Sequence, residues 1–289
     1  MGLDFSGLVS PQAAPPELER YPARTGAGLA VRHYHAESSD ALVLLHGSGH
    51  HSLYLAPLAE RVAGAGAAHV YTPDLRGHGV HPERRGDIDY VDQLEDDLVD
   101  LSAWVRARHP AGRLWIGGHS SGGGLALRFA GGAMGAMADG YVLLAPYLAH
   151  DAPTMRGRSA GGWARPRVLR IVLLSILNRL GVHALDGVTV IGFEMPEEVR
   201  DGTETLAYSH RLNLGYAPRS WKTDLARAPA PLQVLVGAED EAFQAQAFAP
   251  AVLPHAPEAR VEIVPGASHL GLIGAPQTAA RLIEWLSGR

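Results

Sequence analysis

An α/β architecture, a mostly parallel sheet flanked by helices, is predicted by three features of this 289-residue chain. Short apolar runs alternate with stretches of helical spacing, the pattern of strands joined by crossover helices. Several of the runs are apolar at nearly every residue, as strands covered on both faces must be. The alternation breaks once, over an interval too long to be a plain loop inside a compact domain.

Residues 41–45 form the first buried run and stop at His46-Gly47-Ser48-Gly49. Residues 54–63 have helical spacing, and residues 69–72 read as the next strand, stopped by Pro73. A long amphipathic helix over 90–108 places Leu94, Leu98, Leu101 and Val105 on one face. Residues 114–117 form a strand, followed by a helix whose first residues, Gly122-Gly123-Gly124, are small enough to sit close to the sheet. Strands at 141–144, 232–236 and 261–264 and a last helix over 276–286 complete the pattern.

Composition narrows the chemistry. Hydrophobic residues make up 46% and charged residues 19%, an ordinary globular balance, and the net charge of -5 does not favour nucleic acid as a partner. Lys222 is the sole lysine and follows Trp221, so no G-K-[ST] phosphate loop exists and nothing supports Schiff-base chemistry. The absence of cysteine excludes disulfides, thiol catalysis and thiolate metal sites. No G-x-G-x-x-G follows a strand, so no dinucleotide is expected, and the chain is read as needing no cofactor. His46, His50 and His51 lie on a glycine turn without a neighbouring carboxylate, and no metal is expected there or elsewhere. Met1 to Ser6 has neither a basic nor an apolar region of a signal peptide, which predicts a cytoplasmic protein. The same residues fit the acylation pattern M-G-x-x-x-[ST], but the arginine- and alanine-rich composition suggests a bacterial gene, where that match is read as chance.

The interrupted interval divides the chain into a core, residues 1–146 and 228–289, and an inserted helical cap, residues 147–227. The first half of the insertion carries Arg156, Arg158, Arg165, Arg167, Arg170 and Arg179 without an acidic residue between 152 and 185. Inside it, residues 168–177 are apolar on nearly every face and too short to span a bilayer, which takes about 20 residues. Two readings stand: an interfacial helix near anionic lipid head groups, giving peripheral membrane contact through the cap, or a helix buried in the cap or a homodimer.

Gly118-His119-Ser120-Ser121-Gly122 directly follows the strand at 114–117. In a G-x-S-x-G turn the serine backbone is strained and its hydroxyl is lifted clear of the sheet, with glycines where any side chain would collide with strand or helix. Ser120 is the candidate nucleophile. A serine hydroxyl needs a histidine to take its proton, and that histidine needs a carboxylate to fix its tautomer. The strand at 232–236 ends in Gly237-Ala238-Glu239-Asp240 and the strand at 261–264 in Pro265-Gly266-Ala267-Ser268-His269. Asp240 is taken as the acid and His269 as the base, with Glu239 and Glu241 as alternatives to Asp240. Acyl transfer also needs donors aimed at the developing oxyanion; the N–H groups of Ser121 and of Ser48, with Gly49 beside it, are the candidates.

With these parts in place, the chain resembles the α/β-hydrolase superfamily of serine hydrolases, in the group of monoacylglycerol lipases and lysophospholipases. The stretches that carry the resemblance are His46-Gly47-Ser48-Gly49, Asp74-Leu75-Arg76-Gly77-His78-Gly79, Gly118 to Gly123, Gly237 with Asp240, and Gly266 with His269. Ser121 departs from the methionine that many relatives have after the nucleophile. The D-x-R-G-x-G stretch is read as structural. The resemblance implies hydrolysis of carboxylic esters, with lipid-like monoesters as the small-molecule substrates. Gly47, Gly49, His50, His119, Tyr147 and Phe193 are the residues expected to bind them. Two rivals are kept. One is an aminopeptidase of the proline-iminopeptidase type, in which Glu194, Glu197, Glu198 or Glu204 would hold the amine; the other is a binding protein with a vestigial triad.

Overall fold

A computed structural model describes residues 2–8, 13–157 and 162–288. Met1 of the acylation pattern and Arg158 of the basic half therefore lie outside the described residues. In chain order the strands are β1 (Leu18–Pro22), β2 (Gly28–Tyr34), β3 (Ala41–Leu45), β4 (His69–Pro73), β5 (Leu114–His119), β6 (Gly140–Leu144), β7 (Ala164–Pro166), β8 (Thr189–Phe193), β9 (Ala207–Ser209), β10 (Leu232–Gly237) and β11 (Arg260–Val264). The helices are α1 (Ala56–Gly64), α2 (Gln93–Arg108), α3 (Ser121–Ala130), α4 (Val168–Arg179), α5 (His210–Tyr216), α6 (Trp221–Arg227), α7 (Phe248–Val252), α8 (Gly271–Gly274) and α9 (Pro276–Leu286).

Eight strands form one sheet in the order β1-β2-β4-β3-β5-β6-β10-β11, in which β2 alone runs against its neighbours. Every residue of β3, β5, β6 and β10 is buried, which explains why these read as almost wholly apolar runs, with Gln233 and His119 the polar members. The hairpin of β1 and β2 is an addition to the expected set of strands. Leu94, Leu98, Leu101 and Val105 of α2 are all buried, as their spacing requires. At its start, Asp89 and Gln93 bond reciprocally, the Asp89 N–H donating to Gln93 Oε1 and Gln93 Nε2 donating to Asp89 Oδ2, which fixes the approach of the chain to the helix.

The chain passes from β3 to β4 on one side and then to β5 on the other, so the loops after β3 and β5 part company at the carboxyl ends of two adjacent strands. Such a switch point leaves a crevice where ligands bind in open α/β sheets. The D-x-R-G-x-G turn after β4 frames it. Asp74 Oδ1 accepts the Ser52 N–H at 2.9 Å, and Arg76 makes a buried two-bond pair with Asp97.

The segment between β6 and β10 contains the expected helices, α4 to α6, and with them a three-stranded antiparallel sheet in the order β7-β8-β9. Helices α5 and α6 pack on α3 of the core, whereas α4 rests mainly on β8.

Candidate active site

The chain enters the crevice through a sharp turn from β5 into α3, with Ser120 at φ 55° and ψ -119°. A non-glycine residue held there costs about 1–3 kcal/mol, which the surroundings must over-determine. They do so with three backbone bonds: Ser120 N–H to the Leu144 carbonyl, and Tyr147 and Gly124 N–H to the Ser120 carbonyl, at 2.9, 2.9 and 3.0 Å. The flanking glycines have the expected steric reason. A Cβ on Gly118 would lie 2.3 Å from the Gly122 carbonyl oxygen, and one on Gly122 would lie 2.3 Å from that of His46.

The loops after β10 and β11 bring Asp240 and His269, which are 1% and 2% exposed, to this serine. His269 Nδ1 lies 2.8 Å from Asp240 Oδ2, and His269 Nε2 lies 3.0 Å from Ser120 Oγ. Because a carboxylate only accepts, Nδ1 carries the proton and Nε2 presents its lone pair to the serine hydroxyl. Asp240 Oδ1 is held by the N–H groups of Ala242 and Phe243 at 2.9 and 2.7 Å. The neighbouring carboxylates stand elsewhere: Glu239 is exposed, while Glu241 accepts the backbone N–H of His269 at 3.0 Å and of Asp4 at 2.6 Å.

Around the oxyanion position, Gly47 N–H donates to the Tyr54 hydroxyl at 2.8 Å and Gly49 N–H to the Tyr208 hydroxyl at 2.9 Å. Gly49 is thereby removed as an oxyanion donor. The Ser48 N–H between them has no hydrogen-bond partner among the described residues. The Ser48 and Ser121 hydroxyls bond to each other at 2.5 Å, which ties the loop after β3 to the start of α3.

Beneath the serine, His119 is buried and bridges two loops. Its Nδ1 accepts from the Tyr54 hydroxyl at 2.8 Å and its Nε2–H donates to the His269 carbonyl at 3.1 Å. Burial, reinforced by the nearby His269, holds His119 well below the usual imidazole range, so the ring is neutral as this pattern requires. Burial likewise raises the Tyr54 phenol and keeps its proton in place. His50 is pushed down to about 3 by burial and by the neighbouring His51 and His269.

A narrow cleft over Ser120 is lined by Leu3, Gly47, Ser48, His50, Tyr54, His119, His269, Leu270 and Trp163, and leaves room for about one water molecule. Gly47, His50 and His119 were expected there. Three other expected substrate-binding residues stand outside this lining: Gly49 lies against the Trp163 ring, Phe193 stacks behind Trp163 at 5.4 Å, and Tyr147 supports the elbow through its backbone. Leu3, Trp163, Leu270 and Tyr54 were missed; Leu270 directly follows His269, and Tyr54 comes seven residues after Gly47 in the segment that follows β3, so these two lay beside recognised motifs. The trio His46, His50 and His51 does not converge on a metal. His46 Nδ1–H donates to the Gly47 carbonyl and its Nε2 accepts the Leu75 N–H, so both nitrogens are committed to the loop.

Among proteins of curated function, none matches the sequence. Many solved structures share the fold. A monoacylglycerol lipase from Paleococcus ferrophilus is 20% identical with a TM-score of 0.69, over 90% of this chain and 98% of that one. A soluble variant of monoglyceride lipase from Saccharomyces cerevisiae is 17% identical with a TM-score of 0.72, over 97% of each chain. A thermophilic esterase from Thermogutta terrifontis is 19% identical with a TM-score of 0.62, over 95% of this chain and 99% of that one. The alpha/beta hydrolase profile matches residues 42–282, a span that includes the whole Ser120, Asp240 and His269 constellation, and the chain belongs to this family of hydrolases.

Proposed function

We propose that the protein hydrolyses carboxylic esters with Ser120 as nucleophile, His269 as general base and Asp240 as the acid that orients it. The observation that carries this reading is the continuous path of two hydrogen bonds from Ser120 Oγ through His269 to Asp240, at 3.0 and 2.8 Å. Ser120 Oγ attacks the ester carbonyl while His269 Nε2 takes its proton, and the resulting imidazolium is stabilised by Asp240. The Ser48 and Ser121 N–H groups bind the oxyanion. Collapse of the tetrahedral intermediate expels the alcohol, which receives the proton from His269, and leaves an acyl group on Ser120. A water molecule, activated by the same histidine, then releases the acid.

Lipid-like monoesters, of the monoacylglycerol or lysophospholipid type, are the favoured substrates. Leu3, Trp163 and Leu270 give the cleft an apolar lining, and the similar folds include two enzymes named for monoacylglycerol substrates. The peptidase rival is less well supported, since none of its candidate amine anchors lines the cleft: Glu194 pairs with Arg165 at the surface, Glu197 and Glu198 are exposed, and Glu204 accepts N–H groups of its own loop. An acyl chain needs more room than one water, so Leu3, His50 and Trp163 must part for substrate to enter.

Helix α4 supplies a membrane-facing element in this reading, and the enzyme is cytoplasmic and peripheral to the bilayer. No helix among the described residues is long and apolar enough to cross a membrane. On α4 itself, however, Leu169 is 81% exposed and Leu173 61%, beside Arg167 and Arg170. The arginines suit anionic head groups.

Rates on p-nitrophenyl esters of graded chain length, against proline amides, test the reaction and its substrate. Turnover that rises with acyl length and disappears in Ser120→Ala supports the reading; turnover of amides alone, or none, removes it. Fluorophosphonate labelling lost in both Ser120→Ala and His269→Ala separates an enzyme from a binding protein with an idle triad.

A further inference from the structure

The end of the sheet opposite Ser120 gathers imidazoles that ester hydrolysis does not use. Strand β4 begins at His69, antiparallel β2 brings His33 alongside it with His35 just beyond, and α2 delivers His109 as the residue after its last turn. His33 Nε2 lies 3.0 Å from His69 Nδ1, and the rings of His69 and His109 are 4.3 Å apart. One ring nitrogen from each of His33, His69 and His109 falls within 4.8 Å of the other two.

The hydrogen bonds around the cluster leave a lone pair aimed into it. His69 Nε2–H donates to the Ser38 carbonyl at 3.1 Å, so its Nδ1 is unprotonated; it faces His33 Nε2 at 3.0 Å and takes a longer contact of 3.3 Å from the Ala36 N–H, which an ion would replace. Ligating histidines commonly use this arrangement, one nitrogen fixed by a backbone carbonyl and the other turned to the ion. On its far side His33 Nδ1 lies 3.6 Å from Glu19 Oε1. An open cavity of about 450 Å³ adjoins His33 and His35, with Glu17, Glu19 and Glu60 on its walls. Burial and mutual proximity also hold His33 down at about 3, and His69 and His109 below their ordinary values, so the rings are already neutral near pH 7. One positive group opposes a cation: Arg108, whose guanidinium is held over the Trp104 ring at 3.3 Å.

We propose that His33, His69 and His109 form a binding site for a divalent transition-metal ion of the zinc class, separate from the hydrolytic centre. Imidazole donors suit zinc, copper and nickel and discriminate against magnesium and calcium. Zinc–nitrogen bonds of about 2.0–2.1 Å place neighbouring nitrogens about 3.3 Å apart in a tetrahedron. The His33–His69 pair is already that close, while His109, which is half-buried, has its Nε2 2.8 Å from the Tyr71 hydroxyl, a contact that ligation through this nitrogen would replace. His35 or a water from the cavity completes the shell. The ion would join β2, β4 and the end of α2, bracing the antiparallel edge of the sheet. Nothing in the spacing of residues 33, 69 and 109 announces such a site, and no metal was expected from the sequence.

The test is calorimetric titration of zinc chloride into EDTA-treated protein at pH 7.5, repeated on His109→Gln and His33→Gln. One zinc per chain is expected, with affinity at least about tenfold weaker in either variant. Ester turnover without zinc, measured on the same samples, should match the parent and certify that each variant is folded. Cobalt chloride added to the parent protein gives an independent reading, because tetrahedral nitrogen coordination produces strong visible absorption bands. No binding, equal binding in parent and variants, or a cobalt spectrum of the hydrated ion would each overturn the site.

Discussion

Strand β3 is wholly apolar and helix α4 largely so, yet the two meet opposite fates. All five residues of β3 are buried, whereas Leu174 is the one residue of α4 that is. The difference lies in what stands on the other side. Strand β3 has β4 and β5 as neighbours and α3 packed against it, whereas α4 touches chiefly β8. Hydrophobic content alone therefore says nothing of where stability resides. The apolar surface of β3 holds the fold together and aims the loop at Ser120, while that of α4 stays largely exposed.

The contrast can be broken in four ways. The largest effect is chemical: Ser120→Ala should lower ester turnover by about 10³- to 10⁶-fold, read with a p-nitrophenyl ester, without loss of the folded state by circular dichroism. Leu44→Ala, in the middle of β3, should cost about 2–5 kcal/mol in urea unfolding, because its cavity cannot be refilled from either face. Acid should come next. His50 and His78 are held down at about 3 and about 4 by burial, whereas the unfolded chain takes up these protons near 6.5. Their contribution is thus complete above about pH 6.5 and is lost as pH falls toward 4 and 3. A thermal midpoint that stays level from pH 8 to 7 and declines below 6.5 is the expected profile. The smallest effect is on α4, where Leu169→Ser with Leu173→Ser should change stability by less than about 0.5 kcal/mol yet reduce co-sedimentation with anionic liposomes. A destabilisation as large as that of Leu44→Ala would erase the distinction; a dimer in the parent, lost in this variant, would assign α4 to a second copy instead.

How much of the molecule the sequence discloses follows the same division. Strands β3, β5, β6 and β10 are legible because burial on both faces leaves few polar residues to blur them, Gln233 and His119 being the exceptions. The β1–β2 hairpin is not: Glu19, Arg20 and Pro22 give it the character of a protected edge that buries little. The position of Ser120 is readable from local sterics, since the clashes at Gly118 and Gly122 arise within the turn and its immediate neighbours. Choosing among Glu239, Asp240 and Glu241 is harder, because three adjacent carboxylates differ only in which one the loop turns inward. Leu3 and Trp163 meet over the cleft from distant parts of the chain, and no local spacing could join them. The histidines at 33, 69 and 109 are hidden for the same reason.

The insertion also bears on the order in which the molecule assembles. Tyr141 of β6 and Leu232 of β10 are bonded neighbours in the sheet, yet the long segment carrying α4 to α6 and β7 to β9 separates them along the chain. Closing so long a loop must precede any reward from pairing, which slows formation of that half of the sheet. The strands that lead to Ser120 have partners nearer in sequence and can pair earlier. Asp240 and His269 stand on the loops after β10 and β11, so the groups gathered around Ser120 depend on this long-range pairing.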